Sequence, residues 1–185
     1  PTKTPEPMEK GILRAKYGLT VFRDGTMRFD ATEVPATHFT PRDAGVTIAH
    51  LAGLGYSHDI EGRPIERDDQ VVELHGQDLI LAEDSVEYLL KTTAFLDDLL
   101  VYYYGLPPYY NAKKRDDLIG SLAIVIAPHT SAGILARIIG FSPVRGIIAH
   151  PYLHCATRRN CLSEKTLLYL EEGERLHAKD AGTIF

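Results

Sequence analysis

Apolar positions recur along this chain with a clear helical period in one place and with shorter, strand-like runs elsewhere. Val86, Leu89, Leu90, Thr93, Leu96, Leu100 and Tyr103 follow a 3.6-residue repeat, which predicts a helix over residues 85–104. Asp84 stands where it can cap that helix, and Glu87 three residues on completes a capping-box pattern. Gly105 and then Pro107-Pro108 end it. Residues 47–54 read as a short helix stopped by Gly55. Residues 70–74, 78–81 and 144–149 read as short strands. Asp24-Gly25, with Val21-Phe22 before it and Met27 and Phe29 after it, is a hairpin signal, because both turn positions need positive φ. The longest apolar run, Leu118 to Pro128, predicts a buried helix over residues 116–126. Thr130 or Ser131 can cap a third helix running to Ile139 and closed by Gly140. Residues 1–9, rich in proline and charge, read as a linker. The pattern predicts an α+β fold without regular βαβ alternation, internal repeats or low-complexity tracts.

Composition adds limits. The 185 residues suffice for one ordinary domain or two small ones, and 44% hydrophobic with 24% charged residues is the make-up of a chain with a packed core. A net charge of -5 weighs against a free-standing nucleic-acid binder, although the C-terminal third is locally basic. Cys155 and Cys161, six apart, are no disulfide framework and point to a reducing, cytoplasmic setting. No apolar run approaches the roughly 20 residues that span a bilayer, so no membrane partner is expected. No signal-peptide pattern opens the chain. Its first residue is Pro rather than Met, which suggests part of a longer product.

Candidate chemistry clusters after residue 127. The loop from Ala127 through His129 to Gly133 leads toward a predicted helix start and could hold a phosphate on exposed N–H groups, or could be an ordinary N-cap. His150 and His154 are four apart with Cys155 adjacent. That spacing suits a metal, but no Glu lies between the histidines and no second cysteine pair exists, so packed or hydrogen-bonded histidines are the simpler reading and no metal site is assigned. Arg158 and Arg159 can make bidentate phosphate contacts or line a solvated basic loop, and Arg137 and Arg145 add charge nearby in sequence. The acidic pairs Asp68-Asp69, Asp97-Asp98 and Asp116-Asp117 read as solvated faces or a helix start, not a magnesium site.

The order of these blocks is more specific than any one of them. Ala127-Pro-His-Thr-Ser-Ala-Gly133, Arg137-Ile-Ile-Gly-Phe141, Ala149-His-Pro-Tyr-Leu-His154 and Arg158-Arg-Asn160 resemble the large subunit of archaeal family D DNA polymerases. Pro7-Met-Glu-Lys10, Thr37-His-Phe39, Gly55-Tyr-Ser-His-Asp59, Tyr109-Tyr-Asn-Ala112 and Asp117-Leu-Ile-Gly120 fit the same family, so the likeness covers about residues 7–160. The resemblance implies a core of two double-psi β-barrels that extends a primer on a DNA template from dNTPs with Mg2+. It also implies a small exonuclease subunit and a sliding clamp as partners. On this reading residues 1–160 are a piece of the catalytic region. His129, Arg137, His150, His154, Arg158 and Arg159 are the candidates for its nucleic-acid or nucleotide side.

In that family Arg-Arg-Asn leads into a Cys-Asp-Gly-Asp-Glu-Asp stretch of metal-binding aspartates. Here Cys161-Leu-Ser-Glu-Lys-Thr166 follows instead, so the piece alone is expected to be inactive. The new segment resembles the first block of an intein, at a point where the family hosts inteins, with Glu164-Lys165 in place of the usual Gly-Asp. Residues 161–185 would then form the first β-strands of a Hint domain. Cys161 would be the splicing nucleophile and Asn160 the splice junction. The alternative function is the N-terminal half of a split-intein precursor that acts by protein trans-splicing. A frameshift or a family-specific insertion at this point is the bland reading.

Overall fold

Six strands drawn from distant parts of the chain close into a barrel. The computed structural model describes residues 7–20, 27–127, 133–158 and 165–170. In chain order these form α1 (Met8–Lys16), β1 (Phe29–Pro35), β2 (His38–Phe39), α2 (Ile48–Gly53), β3 (Val72–Glu73), β4 (Asp78–Ala82) and α3 (Ser85–Asp98). There follow β5 (Leu122–Ile126), β6 (Ile134–Ser142), β7 (Ile147–Ala149), α4 (Pro151–Ala156) and β8 (Lys165–Leu170). The barrel order is β1-β7-β4-β6-β5-β8, and β8 pairs back to β1. Two neighbouring pairs are parallel, β1 with β7 and β4 with β6, and the rest are antiparallel. β2 and β3 form a separate antiparallel pair.

Two cores meet on β4. All five of its residues are buried. Leu79 and Leu81 pack with Ile138, Phe141 and the α3 residues Leu89, Phe95 and Leu96. Ile80 packs on the opposite side with Phe39, Leu51, Tyr56 and Ile139. Successive strand residues face opposite ways, so a strand covered on both faces is apolar along most of its length, and in β4 only Asp78 departs from this. β5 differs: Ala123 and Val125 are buried, whereas Leu122 is exposed.

Several expectations hold with small shifts. The long helix is present, but after Asp98 its last turn widens into a π-helical turn over Leu99–Tyr103. Thr47 caps α2, its hydroxyl accepting from the His50 amide at 3.2 Å. Asp84, by contrast, lies in helical backbone and makes no side-chain cap bond.

Other expectations are corrected. The helix expected over residues 116–126 is a single 3₁₀ turn, Arg115–Leu118, followed by β5. Asp117 does satisfy the start of that turn, accepting the Lys113 and Lys114 amides at 3.0 and 3.1 Å, which holds its carboxyl below the usual range. The helix expected to end at Gly140 is β6. Glycine is required there for a different reason: a Cβ would collide with the Ala44 carbonyl oxygen and sit 2.7 Å from Val46 Cγ1. Phe141 N donates to that same carbonyl at 2.8 Å, which lays the 40–46 loop on β6. Met8 and Glu9, expected in a linker, begin α1, which Lys16 ties to α3 through Asp98 at 2.6 Å. The Asp24-Gly25 hairpin lies outside the described residues.

Candidate nucleic-acid interface

The register brings one end of the barrel together from five strands. Leu79 is opposite Ala149, so the start of β4 adjoins the end of β7. Pro35 is opposite Ala149, so β1 ends there as well. Asp78 is opposite Arg137, which places that part of β6 beside them. β6 begins three residues earlier, at Ile134, opposite Val125 near the end of β5. His150 follows β7 directly, and α4 departs from this end toward Arg158. His129 falls between β5 and β6, and Arg159, Asn160 and Cys161 between α4 and β8; all four lie outside the described residues.

Arg137 is engaged in this end rather than free on it. Its Nε and Nη2 donate to Asp78 Oδ1 and Oδ2 at 2.9 and 2.8 Å. The Tyr56 hydroxyl donates to Asp78 Oδ2 at 2.6 Å, and the His75 amide donates to the Tyr56 oxygen at 3.2 Å. The Tyr56 and His75 rings stack at 4.0 Å. The Asp78 side chain is 4% exposed, so this carboxylate is desolvated and needs those donors. Burial first, and then the carboxylate, push the Tyr56 phenol well above its ordinary value, and Asp78 raises Arg137.

His150 caps α4. Its Nδ1 accepts from the Tyr152 amide at 3.1 Å, and Pro151 takes the first helical position. His154 presents nothing to a ligand: its side chain is fully buried, with Nδ1 3.5 Å from Glu33 Oε1 of β1, whose side chain is 2% exposed. His154, a candidate for the nucleic-acid side, is thus buried among the described residues. Cys155 is an exposed free thiol. Arg158 is exposed and holds φ of 60°, an uncommon conformation for a residue with a side chain.

Among the described residues no group of three or more His, Cys, Asp or Glu side chains could hold a metal ion. Asp97-Asp98, expected as a solvated face, is occupied otherwise. Asp97 accepts the amides of Tyr109, Tyr110 and Asn111 at 2.7, 2.8 and 2.7 Å, and Asp98 pairs with Lys16. No described helix is long and apolar enough to cross a membrane.

Sequence reasoning missed Asp78, Tyr56 and Glu33. A signal existed for the first: Asp78 and Arg137 are opposite charges, each isolated in an apolar strand, and isolated charges in such runs require a partner. Glu33 carried no comparable signal, since its partner lies far along the chain.

Known proteins share this sequence over most of its length. Residues 1–173 match the family model described as DNA polymerase II large subunit DP2, catalytic domain. The DNA polymerase II large subunit of Pyrococcus abyssi is 56% identical over 169 residues, covering 91% of this chain and 12% of that protein. The Thermococcus kodakarensis protein of the same name is 55% identical over 169 residues, 91% of this chain and 9% of its own length. The Archaeoglobus fulgidus protein is 56% identical over 160 residues, 86% of this chain and 14% of its own. The chain thus spans only a small part of the length of the relatives it matches.

Proposed function

Because the chain belongs to the DNA polymerase II large-subunit catalytic family, we propose that residues 1–160 help form the core that copies a DNA template from dNTPs. The extent of the likeness carries this reading, since the family model runs through residues 1–173. The shared barrel end supports it. On this reading that end faces the nucleic acid, with Arg158 and Arg159 proposed to hold phosphate oxygens and His129 and His150 as further candidate contacts. Arg137 contributes by fixing β4 to β6. The two parallel strand pairs within a closed barrel support a double-psi architecture.

Primer extension is in-line attack of a 3′ hydroxyl on a nucleotide α-phosphorus, and the metal ions such chemistry uses clamp phosphate oxygens. The described residues do not fit a magnesium site, so no step is assigned to one, and its ligands would belong to another segment of the intact polymerase. Template-primer DNA, dNTPs, the small exonuclease subunit and a sliding clamp are the proposed partners, in the cytoplasm. In the full-length large subunit paired with its small subunit, Arg158→Ala and Arg159→Ala should weaken primer-template binding. Each substitution should also flatten the salt dependence by about one unit of slope, as one phosphate is no longer neutralised. Unchanged affinity and slope would remove the phosphate role.

Two readings of residues 161–185 compete. In the first, Cys161 opens an intein, contiguous or split. Its thiol attacks the Asn160 carbonyl carbon, a C–S bond replaces the C–N bond, and the freed amine takes up the proton. In the second, favoured by the pairing of β8 with both β1 and β5, residues 165–170 are an ordinary barrel strand of the polymerase core. Incubation of the chain with a small thiol separates them. Release of a product ending at Asn160, abolished by Cys161→Ala, supports splicing chemistry, and an intact mass supports the strand.

A further inference from the structure

Among the described residues, a buried ionisable pair lies outside the proposed phosphate contacts. It joins Glu33 on β1 to His154 on α4, with Nδ1 and Oε1 3.5 Å apart and both side chains almost wholly removed from solvent. No hydrogen bond reaches either ring nitrogen of His154 among the described residues. A desolvated pair with such loose geometry is a poor source of stability, because apolar side chains of similar volume serve equally well. Its position is more informative.

α4 is only six residues long, too short to persist by its own hydrogen bonds. It is held through Leu153 and His154, which are buried against the core, and through its His150 cap. The chain leaves α4 through Thr157 and Arg158. Thr157 is buried, and its hydroxyl donates to the His154 carbonyl at 2.7 Å. Arg158 N donates to the Cys155 carbonyl at 3.0 Å, and its left-handed backbone persists only where the surroundings over-determine it. The same residue, His154, therefore anchors the helix to β1 by its ring and anchors the exit turn by its carbonyl.

We propose that Glu33–His154 is a positioning pair that fixes the Arg158 turn relative to β1, and so aims the guanidinium at the phosphate it holds. This rests on the phosphate role of Arg158 proposed above. Neither Glu33 nor His154 touches substrate, so neither is a catalytic residue.

A double-mutant cycle tests it in the full-length large subunit with its small subunit, reading kcat and KM for dNTP incorporation together with primer-template affinity. Arg158→Ala is expected to reduce kcat/KM by roughly tenfold in the native background, but by less than about twofold once His154 is Gln, because a misaimed guanidinium has little left to lose. His154→Gln alone should approach the loss of Arg158→Ala when assayed well below its own thermal midpoint, which the loss of a buried partner lowers. Should His154→Gln not fold, Glu33→Gln, which keeps the shape of the carboxyl group, takes its place in the cycle. Equal losses from Arg158→Ala in both backgrounds would mean additivity and overturn the positioning role while leaving the phosphate reading intact. No loss from Arg158→Ala in the native background would instead remove the phosphate reading, and this inference with it.

Discussion

Among the described residues, two contacts between buried ionisable side chains are built to different standards. Asp78–Arg137 is bidentate, reinforced by a tyrosine hydroxyl, with its donors between 2.6 and 2.9 Å. Glu33 and His154 meet at 3.5 Å, with no hydrogen bond to either ring nitrogen among the described residues. The first ties neighbouring strands of one sheet, and the second ties a six-residue helix to a strand. The difference teaches that a charge inside this fold is not by itself a sign of function. Arg137 is consumed by the scaffold, whereas the looser pair sits under the turn that presents Arg158.

The contrast can be broken most strongly at Arg137. Arg137→Ala leaves the Asp78 carboxylate buried without its bidentate cation, and should cost about 3–5 kcal/mol of unfolding free energy by chemical denaturation. Arg137 as a direct nucleic-acid ligand would instead give a binding defect with little loss of stability. Tyr56→Phe is the milder probe of the same pair. It removes one donor to Asp78 and one acceptor for the His75 amide, and should cost about 1–3 kcal/mol by the same measurement.

The smallest effect sharpens the comparison with a third carboxylate, finished mostly by neutral donors. Gln70 Nε2 at 2.9 Å, the Arg63 amide at 2.9 Å, Arg63 Nε at 3.1 Å and the Glu61 amide at 3.0 Å surround Asp59. Gln70 foremost, and then these groups, hold its pKa at about 2, against an ordinary 3.8. A carboxyl lowered on folding lends stability that is complete above its unfolded value and is lost as pH falls through the folded one. Stability should therefore decline between about pH 4 and pH 2, and Asp59→Asn should flatten that limb of a denaturation-midpoint profile.

Legibility in the sequence followed how each element is covered. α3 has one apolar face and one mixed face, so its period is visible. β4 was recognisable because it is short and bounded by turn residues. β5 and β6 were not, because an apolar run without clear alternation fits a buried helix as well as a strand, and only the pairing partner decides. Gly140 misled for a related reason: its need for space comes from Ala44, a contact that no local pattern encodes. At the candidate site, His150 stood out by its spacing from His154 and Arg158 by its neighbour Arg159, and a block order resembling a known family assigned them to the nucleic-acid side. Glu33 stayed hidden, since its partner lies on an element formed far downstream.

The closing strand has a consequence for how such a chain is made. β8 at Lys165–Leu170 forms the seam with β1, whose residues leave the ribosome roughly 140 positions earlier, as the pairing of Phe29 with Leu168 shows. Until β8 emerges, β1 and β5 are open edges able to template unwanted pairing. Pairing between segments this far apart in sequence slows folding, because the loop-closure entropy must be met before the seam returns any energy. A nascent polypeptide stalled before codon 165 would therefore carry a gapped barrel with two unpaired edges.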